Sequence, residues 1–279
     1  MPIVYACIMP HAPILVPPIG RGIEEESPRL IEAFRDVASR MSEARPETVV
    51  VISPHGPFRY ATIGILTSAR VSGSFAEWAH PEIAFEYEND VDFVEAVRSL
   101  AQGSEVPLEP LAHWGRGLDW GCLVPLYWLR DALGGARVVP IAVSHALPRV
   151  HHELGMCVGR AARQTERRVA IVCSADLSHA LSRDAPAGYD PAGRLFDERY
   201  RRAVETWDER WVLGIDEGVR SHAAEDAIPQ TALLMGALRG LTIAPRVLAY
   251  DAPFGVGYLV ASIDVGVPAP ARPSERATA

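Results

Sequence analysis

The sequence predicts an α/β domain in which one sheet is covered by helices on both faces. Two observations carry this. Apolar runs of strand length alternate with amphipathic helical segments along the chain. No internal repeat and no Gly/Ser-rich linker interrupts them, so the 279 residues read as one domain.

Residues 2–8 form an apolar run closed by Pro10 and read as a buried strand. A helix is expected over 27–44. Ser27 caps it, Pro28 occupies the first turn, and Leu30, Ile31, Phe34, Val37 and Met41 repeat on one face. Residues 47–53 are the next strand, and another is expected over 60–67. Helical spacing returns over 90–102 in Val91, Phe93, Val94, Val97 and Leu100. A helix over 122–134 needs Pro125 in its first turn, because proline has no N–H to give to an interior turn. Residues 136–144 read as a strand, 148–165 as a helix opened by Pro148, and 168–174 as a strand. Helices follow over 191–206, 208–215 and 226–239, the last with Pro229 in its first turn. Strands over 244–250 and 256–264, joined through Pro253 and Gly255, complete the domain, which spans 1–265. Residues 266–279, rich in Pro, Ala and Arg, are expected to be a disordered tail.

Composition narrows the function. A net charge of −8 and the absence of a basic patch argue against a nucleic-acid partner. No apolar run approaches the ~18 residues of a membrane span, and no basic n-region precedes an apolar stretch. The cysteines, Cys7, Cys122, Cys157 and Cys173, form no CxxC or zinc-ribbon spacing. Cys7 and Cys173 lie in apolar runs and read as buried free thiols, which suits a reducing cytoplasm.

Three expected strands run into loops that carry histidine: His11 between Pro10 and Pro13, His55 between Pro54 and Pro57, and His179. Ligand sites of open α/β sheets gather at the carboxyl ends of strands. If these strands are neighbours, their imidazoles converge, and neutral imidazole is a common ligand of divalent transition metals. Glu225 and Asp226 stand at the start of an apolar helix, and either could complete a set of two histidines and one carboxylate. The plainer readings are a loop histidine held by a hydrogen bond and helix-start acids that complement the macrodipole. His80, His145, His151, His152 and His222 read as surface or loop residues, and His113 is harder to place.

Four stretches taken together change the balance: MPHAP (9–13), SPHGP (53–57), SADLSH (174–179) and DAPFGVGY (251–258). In order and spacing they resemble the class III extradiol dioxygenase superfamily, to which the catalytic β subunit of protocatechuate 4,5-dioxygenase belongs and whose fold the Memo-like proteins share. The resemblance covers roughly residues 3 to 262. It implies a mixed sheet with helices on both sides and a metal at one end. It makes His11 and His55 ligands of Fe(II), with Zn or Mn as stand-ins in purified protein, and places the ligand glutamate at Glu225, with Asp226 as rival. It makes His179 an acid/base that does not touch the metal. The partners implied are a small aromatic diol and O2, with the chain paired with itself or with a second subunit.

One departure matters. Many ring-cleaving members carry DHG before a VPL helix, whereas this chain reads LDWGCLVPL, with Trp120 where the pocket histidine would be. Indole cannot accept a proton. Ring cleavage of a catechol is therefore weighed against a Memo-like binding or regulatory protein, and against a zinc enzyme of another class such as a hydrolase. Ser53, Ser178 and Tyr258 are candidates for orienting a substrate, and Arg59 or Arg116 for attracting an anionic one.

Overall fold

The structure, a computed structural model, describes residues 2–22, 26–57 and 59–266. In chain order its elements are β1 (Ile3–Met9), α1 (Pro17–Gly20), α2 (Pro28–Ala44), β2 (Thr48–Ser53), β3 (Ile63–Leu66), β4 (Arg70–Phe75), β5 (His80–Glu88), α3 (Val91–Gly103) and β6 (Leu108–Leu111). They continue with α4 (Trp120–Leu129), β7 (Arg137–Ala142), α5 (Pro148–Gln164), β8 (Val169–Ser174), α6 (Pro191–Thr206), α7 (Glu209–Gly214), α8 (Glu217–Ala223), α9 (Ile228–Ala237), β9 (Ile243–Asp251) and β10 (Tyr258–Val265).

Eight strands form one mixed sheet in the order β6-β3-β7-β2-β8-β1-β10-β9. Its centre, β7-β2-β8-β1, is parallel. The neighbours β3 and β10 run antiparallel to it. Buried on both faces, the central strands are continuous apolar runs, as parallel strands are. Side chains alternate between two cores. Ile8, Val50, Ile52, Ile171 and Cys173 face one core, closed by α3, α5, α6 and α9. Cys7, Met9, Val49, Val51 and Val172 face the other, closed by α2, α4 and the β4–β5 hairpin. The consequence for function is topological. β8 lies between β1 and β2 and runs parallel to both, so three neighbouring strands release their chains at the same edge.

Some expectations are corrected. Ser27 makes no side-chain cap of α2; its hydroxyl donates to Asp251 at 2.8 Å, tying α2 to β9. α4 begins at Trp120 because the Asp119 carboxylate accepts the Cys122 N–H at 3.3 Å, so Pro125 lies inside the helix rather than in its first turn. The β4–β5 hairpin, β6 and α8 were not anticipated. β5 is rich in charged residues, and β6 is a four-residue edge strand containing Pro110, where a missing N–H is tolerated. Of the expected tail 266–279, all but Gly266 lies outside the described residues.

Candidate metal centre

Each candidate ligand is positioned by its own strand end. His11 stands two residues beyond Met9, which pairs with Ser174 of β8. Its backbone N–H donates to Asp176 Oδ1 at 2.8 Å, and its Nδ1 lies 3.0 Å from the Ser174 hydroxyl. With Nδ1 so engaged, Nε2 is turned toward the next loop. There His55 follows β2; its N–H donates to Ser53 Oγ at 3.1 Å, and the Ser53 hydroxyl donates to Asp119. Gly121 permits this packing, because a Cβ there would collide with Ser53 Oγ. The two Nε2 atoms face each other at 3.0 Å.

Asp226 completes the group. Its Oδ2 lies 3.4 Å from both Nε2 atoms, and its Oδ1 accepts the Asp176 N–H at 3.1 Å. The three side chains offer ligand atoms all within 4.8 Å of one another. Glu225, the carboxylate expected here, is turned away. Its buried carboxylate pairs with Arg220 and accepts the N–H groups of Ala227 and Ile228 at 2.6 and 2.8 Å. Its acceptor oxygens satisfy the start of α9, leaving the adjacent side chain, Asp226, beside the histidines.

His179 is outside this trio. Its N–H donates to the Ala223 carbonyl at 3.1 Å and its Nδ1 lies 2.8 Å from the Ala224 carbonyl. A carbonyl can only accept, so Nδ1 carries the proton and Nε2 of the neutral ring keeps its lone pair.

The electrostatics suit a cation. Burial opposes charge on His11, but Asp176 and Asp226 outweigh it and lift its pKa to about 9. Burial also works against the Asp226 carboxylate, yet His11 and His55 hold it well below the usual carboxylate range. Asp176, buried beside Asp226, is pushed upward by desolvation. Two imidazole nitrogens and one carboxylate oxygen converging here fit a divalent transition metal with open positions, which would take the place of the proton.

Beside His55 opens a cleft of about 700 Å³ lined by Trp78, Trp114, Trp120, Arg116 and Glu77. The Trp120 ring stacks on His55 at 4.2 Å and meets Trp78 edge-on at 5.6 Å. Trp114 donates its indole N–H to Asp119 at 2.8 Å. Of the other candidates, Ser178 is committed to the Ala223 carbonyl at 2.7 Å, and Arg59 to Glu109 at 3.0 Å. Tyr258 is buried, its hydroxyl pKa pushed up by desolvation, and His113 is exposed. Two contributors were missed. Asp176 lies inside the SADLSH stretch and could have been found there. Trp78 follows a hairpin strand that leaves no local signal.

Residues 5–261 match the family model of the catalytic LigB subunit of aromatic ring-opening dioxygenase. Protein CA_C1420 of Clostridium acetobutylicum is 29% identical over 264 residues, covering 92% of this chain and 56% of that protein. A MEMO1 family protein of Thermococcus onnurineus is 28% identical over 185 residues, covering 66% of this chain and 58% of the relative. A 2,3-dihydroxyphenylpropionate/2,3-dihydroxicinnamic acid 1,2-dioxygenase of a Rhodococcus species is 27% identical over 214 residues, 72% of this chain and 65% of the relative. The chain thus spans 56% to 65% of the length of these three proteins. The crystal structure of the uncharacterized Escherichia coli K12 protein JW3007 superposes with a TM-score of 0.63 at 15% identity, over 94% of this chain and 99% of that one, a likeness of fold. With its motifs, its sheet and nearly its whole length in agreement, the chain belongs to the family of the catalytic LigB subunit of aromatic ring-opening dioxygenases.

Proposed function

We propose that this chain is a ring-cleaving dioxygenase of the extradiol type, holding Fe(II) through His11, His55 and Asp226 and acting on a catechol-type diol with O2. The observation that carries the reading is the convergence of those three side chains within 4.8 Å at the edge of an aromatic cleft. Bound iron would supply a Lewis acid and a redox centre linking diol to dioxygen.

The chain's own residues do the rest. Trp78 and Trp120 offer ring faces and edges against which a planar substrate packs. Trp120 cannot take a proton, so proton transfer falls to His179. Its Nε2 is free to accept a phenolic proton and to return it, because Nδ1 is held by the Ala224 carbonyl. The four buried free cysteines suit a reducing cytoplasm. Light scattering would show whether the chain pairs with itself.

The test is aerobic incubation of Fe(II)-loaded protein with a panel of catechols, followed by absorbance of the yellow ring-fission products. His179→Ala is expected to keep its iron and lose turnover by roughly 10²–10⁴-fold, the usual worth of an acid/base. His55→Ala is expected to lose both. Loss of iron from His179→Ala would refute the role given to that residue. A second reading, a Memo-like binding protein on the same site, is favoured by Trp120 and by the MEMO1 family relative. Bound iron with no product from any catechol would establish it over the first. Zinc as the only metal retained would point instead to another enzyme class.

A further inference from the structure

A fully buried amide in α9 takes no part in the site as described. The helix reads IPQTALLMGA, and its polar side chains are Gln230 and Thr231. Thr231 is satisfied, its hydroxyl meeting the Ala227 carbonyl at 2.8 Å and the Tyr200 hydroxyl at 2.5 Å. Gln230 is not. Among the described residues its Oε1 has no hydrogen-bond partner. A buried carbonyl left unpaired costs stability, so an apolar side chain of the same length would serve the core better.

The other end of the same amide is used twice. Nε2 donates to the Ser174 carbonyl at 3.2 Å and to the Asp226 carbonyl. Those two residues belong to the two halves of the metal centre. Ser174 ends β8, and its hydroxyl lies 3.0 Å from His11 Nδ1. Asp226 carries the carboxylate that lies 3.4 Å from both imidazole Nε2 atoms. One carboxamide thus spans from the residue that orients an imidazole to the residue that supplies the acid.

The end of β8 is a fixed reference. Ser174 pairs with Met9, and the Ala175 N–H donates to the Met9 carbonyl at 2.9 Å. The start of α9 is less firmly tied to it. Between residues 174–176 and Asp226 the other hydrogen bonds among the described residues both run through Asp176. Its carbonyl accepts the Asp226 N–H at 3.4 Å, and its N–H donates to Asp226 Oδ1 at 3.1 Å. The first is long, and the second draws on the carboxylate that faces the histidines. Building on the metal centre read above, we propose that Gln230 is a positioning residue for a divalent metal: its NH2 group sets the start of α9 against the end of β8, and with it the gap between the His11 imidazole and the Asp226 carboxylate. Groups that hold ligands in this way typically change metal affinity 10–100-fold when removed. The orphaned Oε1 follows from the choice of side chain, since an amide brings two N–H donors without charge but always with a carbonyl.

The experiment is anaerobic titration of the metal-free full chain with Co(II), followed by visible absorption, beside urea unfolding of the same metal-free protein. Gln230→Met keeps the length of the side chain and removes both donors, and His55→Ala supplies the baseline for a broken site. Gln230→Met is expected to bind Co(II) 10–100-fold more weakly than the native chain and with altered visible bands. Its metal-free urea midpoint should be unchanged or higher, because the unpaired carbonyl is gone. Native affinity and native bands in Gln230→Met refute the proposal and leave the metal centre standing. A lowered metal-free midpoint, or a chain that no longer folds, refutes it too, by making the amide a structural element. If the native chain binds Co(II) no better than His55→Ala, the metal centre and the proposal fall together.

Discussion

Two adjacent acids have opposite fates at the start of α9. Glu225 is buried against Arg220 and two backbone N–H groups, whereas Asp226 turns to the imidazoles. Asp226→Asn is therefore expected to abolish metal uptake with little loss of fold. Glu225→Gln is expected to keep the metal and cost about 3 kcal/mol, because it leaves Arg220 without its buried partner. Metal analysis together with urea unfolding separates the two. Another buried carboxylate, Asp197, supports the His179 loop by accepting the Ser178 N–H at 2.9 Å and the Tyr250 hydroxyl at 2.6 Å. Burial lifts its pKa to about 6 despite those two hydrogen bonds. Between about pH 4 and pH 6 the folded protein keeps a proton that the unfolded chain has released, so stability falls as pH rises across that window. The fall is at most about 3 kcal/mol. Asp197→Asn should flatten it, as urea midpoints at the two ends of the window would reveal.

At the scale of elements, the position of Asp226 depends on how α9 is seated. α9 packs on α5 backbone to backbone. A Cβ at Gly155 would collide with the Leu233 carbonyl, and one at Gly236 with the His152 carbonyl. Gly155→Ala should force the helices apart and destabilise the protein by about 1–3 kcal/mol, the usual cost of overpacking. Because α9 begins beside Asp226, the same substitution should weaken metal binding, and titration with Fe(II) under anaerobic conditions would measure it. Conversely, α4 was legible as an apolar helical run but not in its bounds, since a helix over 122–134 was expected and the helix is Trp120–Leu129. Its start was misplaced by two residues because the Asp119 cap and the proximity of Gly121 to Ser53 are tertiary facts. β4 and β5 escaped notice because their outward faces are polar and their inward residues, Val71, Phe75 and Phe85, are sparse.

For the whole molecule, the three candidate ligands come from three stretches far apart in sequence, so they meet only in the folded chain. A metal that binds there stabilises the fold by mass action, by about 2.7 kcal/mol at a hundred times Kd. Added Fe(II) is expected to raise the urea midpoint of the native protein, a chelator to reverse it, and His55→Ala to show no shift.

The sequence by itself determined the central strands of the sheet and most of the longer helices, and which loops carry imidazole between prolines. Hydrophobic period and loop chemistry are written within a few residues. Only the tertiary structure decided that β8 lies between β1 and β2, which brings His11 and His55 to 3.0 Å across 44 residues of chain. It also decided that Asp226 rather than Glu225 joins them, and that Trp78 and Trp120 wall one cleft with Arg116. Those outcomes rest on strand order, register and helix seating, which long-range packing sets and no local pattern records.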